Sequence, residues 1–480
     1  MAGRRVGPPV GRNIALILAN SALASSFFWL SGVAMSVPPF LSLYVARLSD
    51  SHTIRSLVPV LWCAPAFISL AGSYISERIR RERLVIVASL VVMALVTAAS
   101  GAAPAIIGTQ TTAALFVLLA GILLANILSN LYFFNLFAWF PDLVDERYMG
   151  KLTASRLLVF WVVGAVVNPL AGEWLEGHAG VQGFSALYLA AGAMGVLAAV
   201  PLMFLRAAPA EHPQREAFLL GASQMWSERN FRMFLGLMLT MSMAPMVTGA
   251  YSAIFLSEFL RFNDRWFGLL NMLPSVAALV TVLGWGRMAD TYGARVVMLA
   301  GIIGYTASSA LMAACSPGHT GLVFPAYLVG GGLGSAFSVA WVPLMYALSP
   351  RHRRATAMGF VWLACATGGL VVPFLGGALV SALGDFSFSL AGRVFGPINV
   401  LLVVQTVVSA AAILFFLHVR VVERATPQLA IALMARRPLL ALWQGFLGDQ
   451  LLDLIRRVRS REEDDKEDDS DSNRHSGPRQ

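Results

Sequence analysis

Residues 286–295 read GRMADTYGAR and directly follow a long apolar run. The recognisable positions in this stretch are Gly286, Asp290, Gly293 and Arg295. A degenerate copy of the pattern follows another apolar run 213 residues earlier, with Glu77 in the place of the acid. The residues around Glu77 include Ser73, Arg78, Arg80 and Arg81. A charged pattern that recurs over such a distance predicts that the chain contains two related halves.

Two further pairs of segments repeat at nearly the same spacing. Residues 145–154 (DERYMGKLTA) follow the fourth apolar run, and residues 350–359 (PRHRRATAMG) follow the tenth, at an offset of 205. The third pair lies inside runs five and eleven, at Gly164, Pro169 and Gly172 and, 204 residues later, at Gly368, Pro373 and Gly376. Three offsets that agree within nine residues, each between runs six apart, predict a tandem of two six-span halves.

The composition places these repeats in a membrane. Of the 480 residues, 57% are hydrophobic and 13% are charged, whereas a soluble chain carries about 25% charged residues. Apolar runs long enough to span a bilayer as helices fall at 14–45, 57–76, 84–106, 112–139, 155–175, 184–205, 231–258, 267–288, 294–315, 320–348, 355–382 and 394–419. We therefore predict an all-α membrane protein with twelve transmembrane helices in two pseudo-repeated six-helix bundles.

The distribution of basic residues predicts the orientation. Of the 35 Lys and Arg residues, 30 lie in the termini or in loops on the same side as the N-terminus. The other five are Arg47, Arg55, Arg261, Arg265 and Arg393. By the positive-inside rule, both termini are predicted to be cytoplasmic and the chain to be a multi-pass protein of the cell membrane. Because the basic residues lie at span ends, the net charge of +9 does not indicate a nucleic-acid partner.

Changes in composition along the chain predict six regions. They are a cytoplasmic N-terminus at 1–12, an N-terminal six-helix bundle at 13–206, a cytoplasmic linker with a short interfacial helix at 207–230, a C-terminal six-helix bundle at 231–420, an amphipathic cytoplasmic helix at 421–460 and a disordered charged tail at 461–480. The linker and the amphipathic helix mix apolar and charged residues, as surface-lying helices do. The tail has almost no apolar residues.

The chain resembles a member of the major facilitator superfamily over about residues 13–420. The superfamily's loop signature after helices 2 and 8 is Gly, three residues, Asp, a basic residue, and then Gly with one or two basic residues. Residues 286–295 match it except at Thr291 and Ala294, and the copy around Glu77 matches it less well. The resemblance implies the superfamily fold and transport by alternating access, in which the two halves rock around a central site.

The resemblance also implies that these charged loops form a latch that favours the outward-open state. The residues that inherit this role are Glu77, Arg78, Arg81, Gly286, Asp290, Gly293 and Arg295. Physically, an acid at the end of a span can bond to the N-terminal end of a neighbouring helix, where free N–H groups favour negative charge. The alternative is a charge cluster that only anchors the loops.

The Gly/Pro motif has its own physical interpretation. Pro169 and Pro373 each remove one helical hydrogen bond and kink the helix, while the glycines allow close approach of a neighbouring helix. In the superfamily the form of this motif in helix 5 is associated with antiporters, so the resemblance favours export. Asn168 and Glu173 depart from the superfamily pattern, and a kink without bearing on direction stays open as the alternative.

The predicted spans carry no Asp, Glu, Lys or Arg in a central position. Glu173, Glu258, Asp385 and Arg393 fall near the outer ends, and Arg156 falls near the inner end. A charge at mid-bilayer costs about 2.5–3.5 kcal/mol, so transporters keep one where it binds protons or a charged solute. We therefore expect an uncharged or amphiphilic solute, and not a strongly anionic one such as a phosphate ester.

Neutral polar and aromatic residues within the spans are the candidates for the substrate cavity. They are Asn20, Trp29, Asn126, Asn130, Thr248, Tyr251, Asn271 and Trp341. Hydrogen-bonding groups beside aromatic rings suit an uncharged or amphiphilic solute. For any one of these side chains taken alone, a hydrogen bond to a neighbouring helix is the favoured alternative.

The leading functional hypothesis is a secondary active or facilitative transporter of a small organic solute, monomeric and favouring export, with coupling to protons or another ion left open. One alternative is an importer of a sugar-like or other neutral solute. Another is a transporter-like protein that acts in signalling or assembly through its cytoplasmic tail. We expect no enzyme activity, because His52, His178 and His319 fall on outer loops without partners for a catalytic site. We expect no metal or cofactor, because Cys63, Cys315 and Cys365 form no metal motif, and the absence of a nucleotide-binding loop argues against direct ATP-driven pumping.

Overall fold

The computed structural model describes residues 10–35, 38–65, 82–108, 112–144, 146–178, 180–206, 225–249, 251–349, 354–384 and 386–420. Glu77, Arg78 and Arg81 lie outside the described residues, as do the predicted helix at 421–460, the tail at 461–480 and most of the linker. Within the described residues, eleven helices are long and apolar enough to cross a membrane. The twelfth span, span 2, is described only in part.

The helices follow the predicted spans in order. In the N-terminal half, span 1 consists of Val10–Ser31 and Pro39–Leu48, span 2 of His52–Cys63, span 3 of Glu82–Ile107, span 4 of Thr112–Leu143, span 5 of Glu146–Gly177 and span 6 of Val181–Met203. In the C-terminal half, span 7 consists of Arg229–Thr248, Tyr251–Ile254 and the π-helix Phe255–Phe259, span 8 of Asp264–Tyr292, span 9 of Ala294–Ala313, span 10 of Val323–Gly332 and Gly334–Leu348, span 11 of Arg354–Leu383 and span 12 of Pro397–His418.

Contacts between helices repeat from one half to the other. Span 1 packs on spans 5 and 6, and span 7 packs on spans 11 and 12. Span 3 packs on spans 4 and 6, and span 9 packs on spans 10 and 12. The two halves meet where span 5 packs on span 8 and where span 2 packs on span 11. These pairings confirm the predicted fold of two repeated six-helix bundles.

Spans 1 and 7 are broken, which corrects the prediction of continuous helices at 14–45 and 231–258. Span 1 breaks after Ser31, where Gly32 has a φ of 73° and Ala34 a φ of 60°. Span 7 breaks at Gly249, which has a φ of 46° and follows Pro245 inside the helix. Left-handed backbone conformations and a proline without an N–H end a helix even inside an apolar run.

The backbone at the span 1 break is bonded within the protein. The Val33 N–H donates to Ser31 Oγ at 3.2 Å, and the Ala34 N–H donates to Asn126 Oδ1 of span 4 at 2.9 Å. A backbone polar group at membrane depth has no water to bond, so it needs such a protein partner. Hydrogen bonds within the N-terminal half therefore stabilise the break.

A short β-hairpin connects spans 11 and 12, where the sequence predicts no strand. Residues Phe388–Leu390 pair antiparallel with Arg393–Phe395, and the rings of Phe388 and Phe395 stack at 5.2 Å. Each strand has three residues and little burial. Such strands are too short for an alternating pattern to reveal them.

Candidate functional site

Ion pairs join the two halves at one end of the molecule, formed by residues 47–55, 173–178 and 258–266 and called here the distal end. They are Arg47 Nη2 to Asp264 Oδ1 at 3.2 Å, Arg55 Nη2 to Glu258 Oε1 at 3.5 Å and Arg265 Nε to Glu173 Oε2 at 2.9 Å. Each pair has one residue in each half. Among the described residues, all ion pairs between the halves lie here, so the structure is closed at the distal end.

Arg55 is the centre of this closure and is 5% exposed. Its Nε donates to Ser49 O at 2.8 Å, and its Nη2 donates to Ala46 O at 3.2 Å and to Asp50 Oδ1 at 2.9 Å. These partners all belong to the end of span 1 and the following turn. Arg55 therefore ties span 1 to span 2 and, through Glu258, to the π-helix of span 7.

Neutral hydrogen bonds accompany the ion pairs at the distal end. Asn263 Nδ2 donates to Glu176 Oε1 at 3.1 Å, and Tyr251 Oη donates to His52 O at 3.2 Å. Both bonds cross from one half to the other. Tyr251, a predicted cavity residue, thus bonds the facing half of the closed distal end.

The span 5 and span 8 backbones touch at a pair of glycines. A Cβ placed on Gly172 would lie 2.8 Å from Gly268 Cα, closer than real Cβ contacts allow. Asn168 Nδ2 of span 5 donates to Asn271 O of span 8 at 3.3 Å, one turn away. Gly172 belongs to the predicted Gly/Pro motif, whereas Gly268 does not.

The other glycines of the motif contact different helices. A Cβ on Gly164 would lie 2.5 Å from Trp29 Cε2, and one on Gly368 would lie 2.5 Å from Met243 Cγ, so both glycines pack within their own half. Gly376 faces the Val247 carbonyl of span 7. Pro169 and Pro373 lie inside continuous helices.

Span 11 meets span 2 through two glycines next to the motif. A Cβ on Gly369 would overlap the Cys63 sulfur, and one on Gly377 would overlap Ser56 Oγ. The contact between spans 2 and 11 is thus as close as the one between spans 5 and 8. Small residues at these crossings allow the helix backbones to approach directly.

The second copy of the loop signature forms a tight connection between spans 8 and 9. Gly286 and Asp290 lie in the last turns of Asp264–Tyr292, a helix longer than the predicted 267–288. Gly293 has a φ of 105° and donates its N–H to Ala289 O at 3.0 Å. The Arg295 guanidinium lies 5.1 Å from the ring centroid of Phe416, in span 12 of the same half. A turn of this shape requires glycine at position 293.

Most of the predicted cavity residues bond neighbouring helices. Trp29 Nε1 donates to Phe160 O at 3.1 Å, and Thr248 Oγ1 donates to Gln405 Oε1 at 2.7 Å. Asn271 Nδ2 instead donates to Phe267 O of its own helix at 2.8 Å. Trp341 packs partly buried against the core of the C-terminal half. Together with Asn126 and Tyr251, these residues do not converge on one cavity.

A cavity of about 130 Å³ lies in the N-terminal half between spans 1, 4 and 5. Its polar wall includes Asn20, Ser21, Tyr132 and Arg156. Its aromatic wall includes Phe28, Phe133 and Phe160. Of the predicted cavity residues, Asn20 lines this cavity and Asn130 lines a smaller crevice between spans 2, 4 and 11.

Hydrogen bonds organise the polar wall. Tyr132 Oη donates to Asn20 Oδ1 at 3.0 Å, and Asn20 Nδ2 donates to Ala198 O of span 6 at 2.8 Å. Arg156 Nε donates to Ser21 Oγ at 3.0 Å. The Arg156 guanidinium carbon lies 4.7 Å from the ring centroid of Phe140, within cation–π range.

The position of Arg156 corrects the expectation that ionic groups stay away from the cavity. The helix of span 5 begins at Glu146, but its membrane-crossing stretch is Ser155–Gly177, so Arg156 lies near one end of that stretch, as the sequence predicts. Its side chain reaches Ser21, near the middle of helix Val10–Ser31. The guanidinium is therefore part of the cavity wall, and the argument against anionic solutes no longer holds.

The Major Facilitator Superfamily model matches residues 233–456. The chain is therefore similar to the major facilitator superfamily over most of its C-terminal half. The repeated halves, the pairing of spans 5 and 8 and of spans 2 and 11, and the loop signature all fit that similarity. The family and the structures matched below are transporters.

Solved structures share the superfamily fold over most of the chain. An auto inhibited POT family peptide transporter matches with a TM-score of 0.64 and 13% identity, over 87% of this chain and 99% of that one. A bacterial homolog of the human lysosomal transporter Spinster, inward-facing and unoccupied, matches with a TM-score of 0.62 and 13% identity, over 84% and 96%. A point mutant of the nucleoside transporter NupG matches with a TM-score of 0.61 and 15% identity, over 85% and 99%.

One curated relative matches in sequence. The multi-drug resistance efflux pump PmrA homolog of Lactococcus lactis subsp. lactis (strain IL1403) is 28% identical over 164 residues. This match covers 32% of the chain and 35% of the relative. The chain thus matches about a third of the length of this relative.

Sequence reasoning missed several residues of the N-terminal cavity. Ser21 and Tyr132 carry no motif, and Phe160 is one aromatic among many in an apolar run. A signal was available for Arg156, because it is an arginine just inside the predicted span 155–175. Arg156 and Phe160 are also four residues apart, which places them on one helix face.

Proposed function

We propose that this chain is a secondary active or facilitative transporter that moves a small organic solute across the cell membrane by alternating access, without enzyme activity. The observation that carries the proposal is the closed distal end of a molecule built from two repeated halves. The halves touch through backbone crossings at spans 5 and 8 and at spans 2 and 11, and through ion pairs at the distal end. Rocking of the halves on the crossings opens one end as the other closes.

The substrate we propose is a neutral or amphiphilic compound, and the direction is export. The mixed wall of the N-terminal cavity supports the first point, because amide, hydroxyl and aromatic groups line it together. The similarity to an efflux pump supports the second, together with the Gly/Pro motif of span 5. Coupling to protons or another ion belongs to the same proposal, with Glu173 and Glu258 of the distal end as candidate carriers.

The proposed orientation places both termini in the cytoplasm, so that the distal end faces outward and the structure is inward-facing. In the opposite, outward-open state we propose that the latch around Glu77, Arg78, Arg81, Gly286, Asp290, Gly293 and Arg295 closes the cytoplasmic end. The excess of basic residues on that side supports this orientation. We propose that one chain forms the complete transporter.

Flux into proteoliposomes, measured with and without a pH gradient against a panel of solutes, tests the proposal. We expect saturable movement of at least one amphiphilic solute, absent from liposomes without protein. Acceleration by an inward-acid or outward-acid gradient identifies proton coupling and its direction. Absence of flux for every class of solute, from protein that stays monodisperse, would contradict the proposal.

A tail deletion separates transport from a signalling role. Removing residues 427–480 leaves both predicted bundles intact, so we expect flux to persist within about twofold. The measurement is initial flux in matched proteoliposomes of equal protein content. Loss of a cellular response with unchanged flux would favour a signalling function for the tail.

A further inference from the structure

We propose that Arg156 and the residues around it form a subsite for the carboxylate of an amphiphilic organic acid, a proposal that rests on the proposed transport function and narrows its substrate class. Arg156 brings a guanidinium into the wall of a cavity between spans 1, 4 and 5. A guanidinium presents its N–H groups in a planar fork that matches a carboxylate. Arg156 is half-buried at the start of the membrane-crossing stretch Ser155–Gly177, where a cation partly removed from water is stabilised by hydrogen bonds or by an anion.

The guanidinium is held in a defined position at the cavity wall. Arg156 Nε donates to Ser21 Oγ at 3.0 Å, and the guanidinium carbon stands 4.7 Å from the centre of the Phe140 ring. The neighbouring Tyr132 hydroxyl is fixed by its bond to Asn20 Oδ1 at 3.0 Å. A cation held in this way costs little further ordering when an anion binds.

Aromatic rings form the adjoining wall and suit an apolar body attached to the acid group. Phe28 and Phe133 stack with centroids 5.3 Å apart, and Phe160 stacks with Trp29 at 5.0 Å. Phe28, Phe133 and Phe160 line the same cavity as Arg156. Apolar rings beside a guanidinium fit an amphiphilic acid better than a small hydrophilic anion.

The size of the cavity makes it a subsite rather than a whole binding site. Its volume is about 130 Å³, whereas a complete pocket for a drug-sized ligand measures about 300–1,000 Å³. Arg156, Phe133 and Phe160 are only half-buried, so the wall retains accessible surface. The cavity accommodates the acid end of a solute while the remainder lies outside it.

The cavity also adjoins the break in span 1. Ala34 and Met35 of the broken segment line it, and Asn126 holds Ala34 through its backbone N–H. A rearrangement of this break changes part of the wall of the cavity that Arg156 lines. Solute binding at the subsite is thereby linked to the conformation of span 1.

Binding of three probes with the same aromatic body tests the proposal: phenylacetate, phenylacetamide and phenethylamine. Affinities are measured by isothermal titration on the purified full chain in nanodiscs. We expect phenylacetate to bind at least about tenfold more tightly than phenylacetamide, as for a hydrogen bond between charged groups, and phenethylamine to bind most weakly. Equal affinity for the acid and the amide, or no measurable binding of the acid, overturns the proposal.

Variants then assign the preference to Arg156. Arg156→Gln is expected to bring the affinities for phenylacetate and phenylacetamide to about the same value while changing the amide affinity by no more than about twofold. Arg156→Lys is expected to keep a reduced preference for the acid. Arg12→Gln, which removes an exposed arginine of span 1, is expected to keep the full ratio. A ratio that persists in Arg156→Gln overturns the proposal. If Arg156→Gln does not fold, the ratio of acid to amide affinity in the wild-type chain and in Arg156→Lys still tests the carboxylate subsite.

Flux of the same probes separates this proposal from the proposed function. Equal transport of acid and amide would leave the transporter proposal standing and would contradict the carboxylate subsite. Selective binding of the acid without flux of any solute would support the subsite and contradict transport. A phosphate monoester, phenyl phosphate, distinguishes the anion class, and tighter binding of it than of phenylacetate would contradict a site for a monoanion.

Discussion

Asn126 shows how a polar residue in a membrane span can serve the backbone of another helix. Its Oδ1 accepts the Ala34 N–H at the break in span 1, and its Nδ2 donates to Ile122 O at 3.0 Å. The sequence predicts Asn126 as a cavity residue because it is a polar residue within a span. Its backbone partner is missed, because nothing in the apolar run 14–45 reveals the break. Residue type and spacing indicate that the side chain faces inward, but the partner depends on a backbone turn in a distant segment.

We predict that Asn126→Ala lowers the thermal stability of the protein, since the Ala34 N–H loses its acceptor. The expected loss is about 1 kcal/mol, the range of hydrogen bonds within membrane proteins. Thermal unfolding in detergent measures it. Asn130→Ala is the matched control, because Asn130 bonds only a carbonyl of its own helix among the contacts described. An equal effect of both substitutions would contradict a special role for Asn126.

Cys315 allows a prediction based on protonation. It lies outside the apolar helices, in the connection between spans 9 and 10, and burial raises the pKa of its thiol from 9.0 to about 11. Since maleimides react with the thiolate, this rise lowers the reactive fraction at pH 8 about a hundredfold. We expect Cys315 to be labelled far more slowly than a cysteine introduced at the exposed Thr53, as measured by mass spectrometry. Comparable labelling rates would be evidence against the buried position.

At the scale of the helix, the crossing of spans 5 and 8 combines a feature that the sequence reveals with one that it hides. Gly172 stands in a motif that repeats in span 11, and glycine there predicts a close helix contact. Gly268, its partner, has no repeat counterpart and no motif. One sequence shows which residues are small, but only the packing of the two halves shows which small residues meet.

We expect Gly172→Leu to reduce flux at least tenfold, because a side chain at that position collides with the span 8 backbone. Gly177→Leu is the matched control in the same helix, since nothing lies within 4 Å of a Cβ at Gly177. Initial flux of a solute identified by the panel, with size-exclusion profiles of both variants, measures the effect. Similar flux in the two variants would argue against a tight crossing.

At the scale of the whole molecule, the sequence predicts the architecture more completely than the conformation. The offsets near 205 and the twelve apolar runs predict the two bundles. The charged distal residues, among them Arg47, Glu173 and Glu258, are noted only as lying near span ends. Which acid meets which arginine depends on how the halves rock, and a transporter adopts more than one such arrangement.

Because three ion pairs join the halves at the distal end, we predict that changing their charges shifts the equilibrium between molecules closed and open at that end. Asp264 is only 13% exposed and its partner Arg47 is 54% exposed, so this pair lies at or above the upper end of the range of about 0.2–1 kcal/mol for exposed pairs. Asp264→Arg should therefore shift the ratio of closed to open molecules by at least about fivefold. Distances between spin labels at the exposed positions Thr53 and His319 measure this ratio. We expect longer distances in Asp264→Arg and partial recovery when Arg47→Asp is added.

Salt provides an independent check on the same equilibrium. Raising ionic strength to about 1 M shortens the screening length to about 3 Å, which weakens pairs between exposed charges. The distal distances should therefore lengthen in high salt for the wild-type chain. If the distribution of spin-label distances changes neither in high salt nor on charge reversal, the ion pairs do not hold the distal end closed.

The hydrogen bonds of Arg55 lower the energetic cost of opening the distal end. When Glu258 moves away, Arg55 still holds Asp50 and the carbonyls of Ser49 and Ala46, and Glu258, which is exposed, returns to water. Neither charge is stranded in an apolar environment, so separation does not incur the penalty of an unpaired buried ion. The distal end can thus open and close in each transport cycle while the turn after span 1, which Arg55 holds, stays folded.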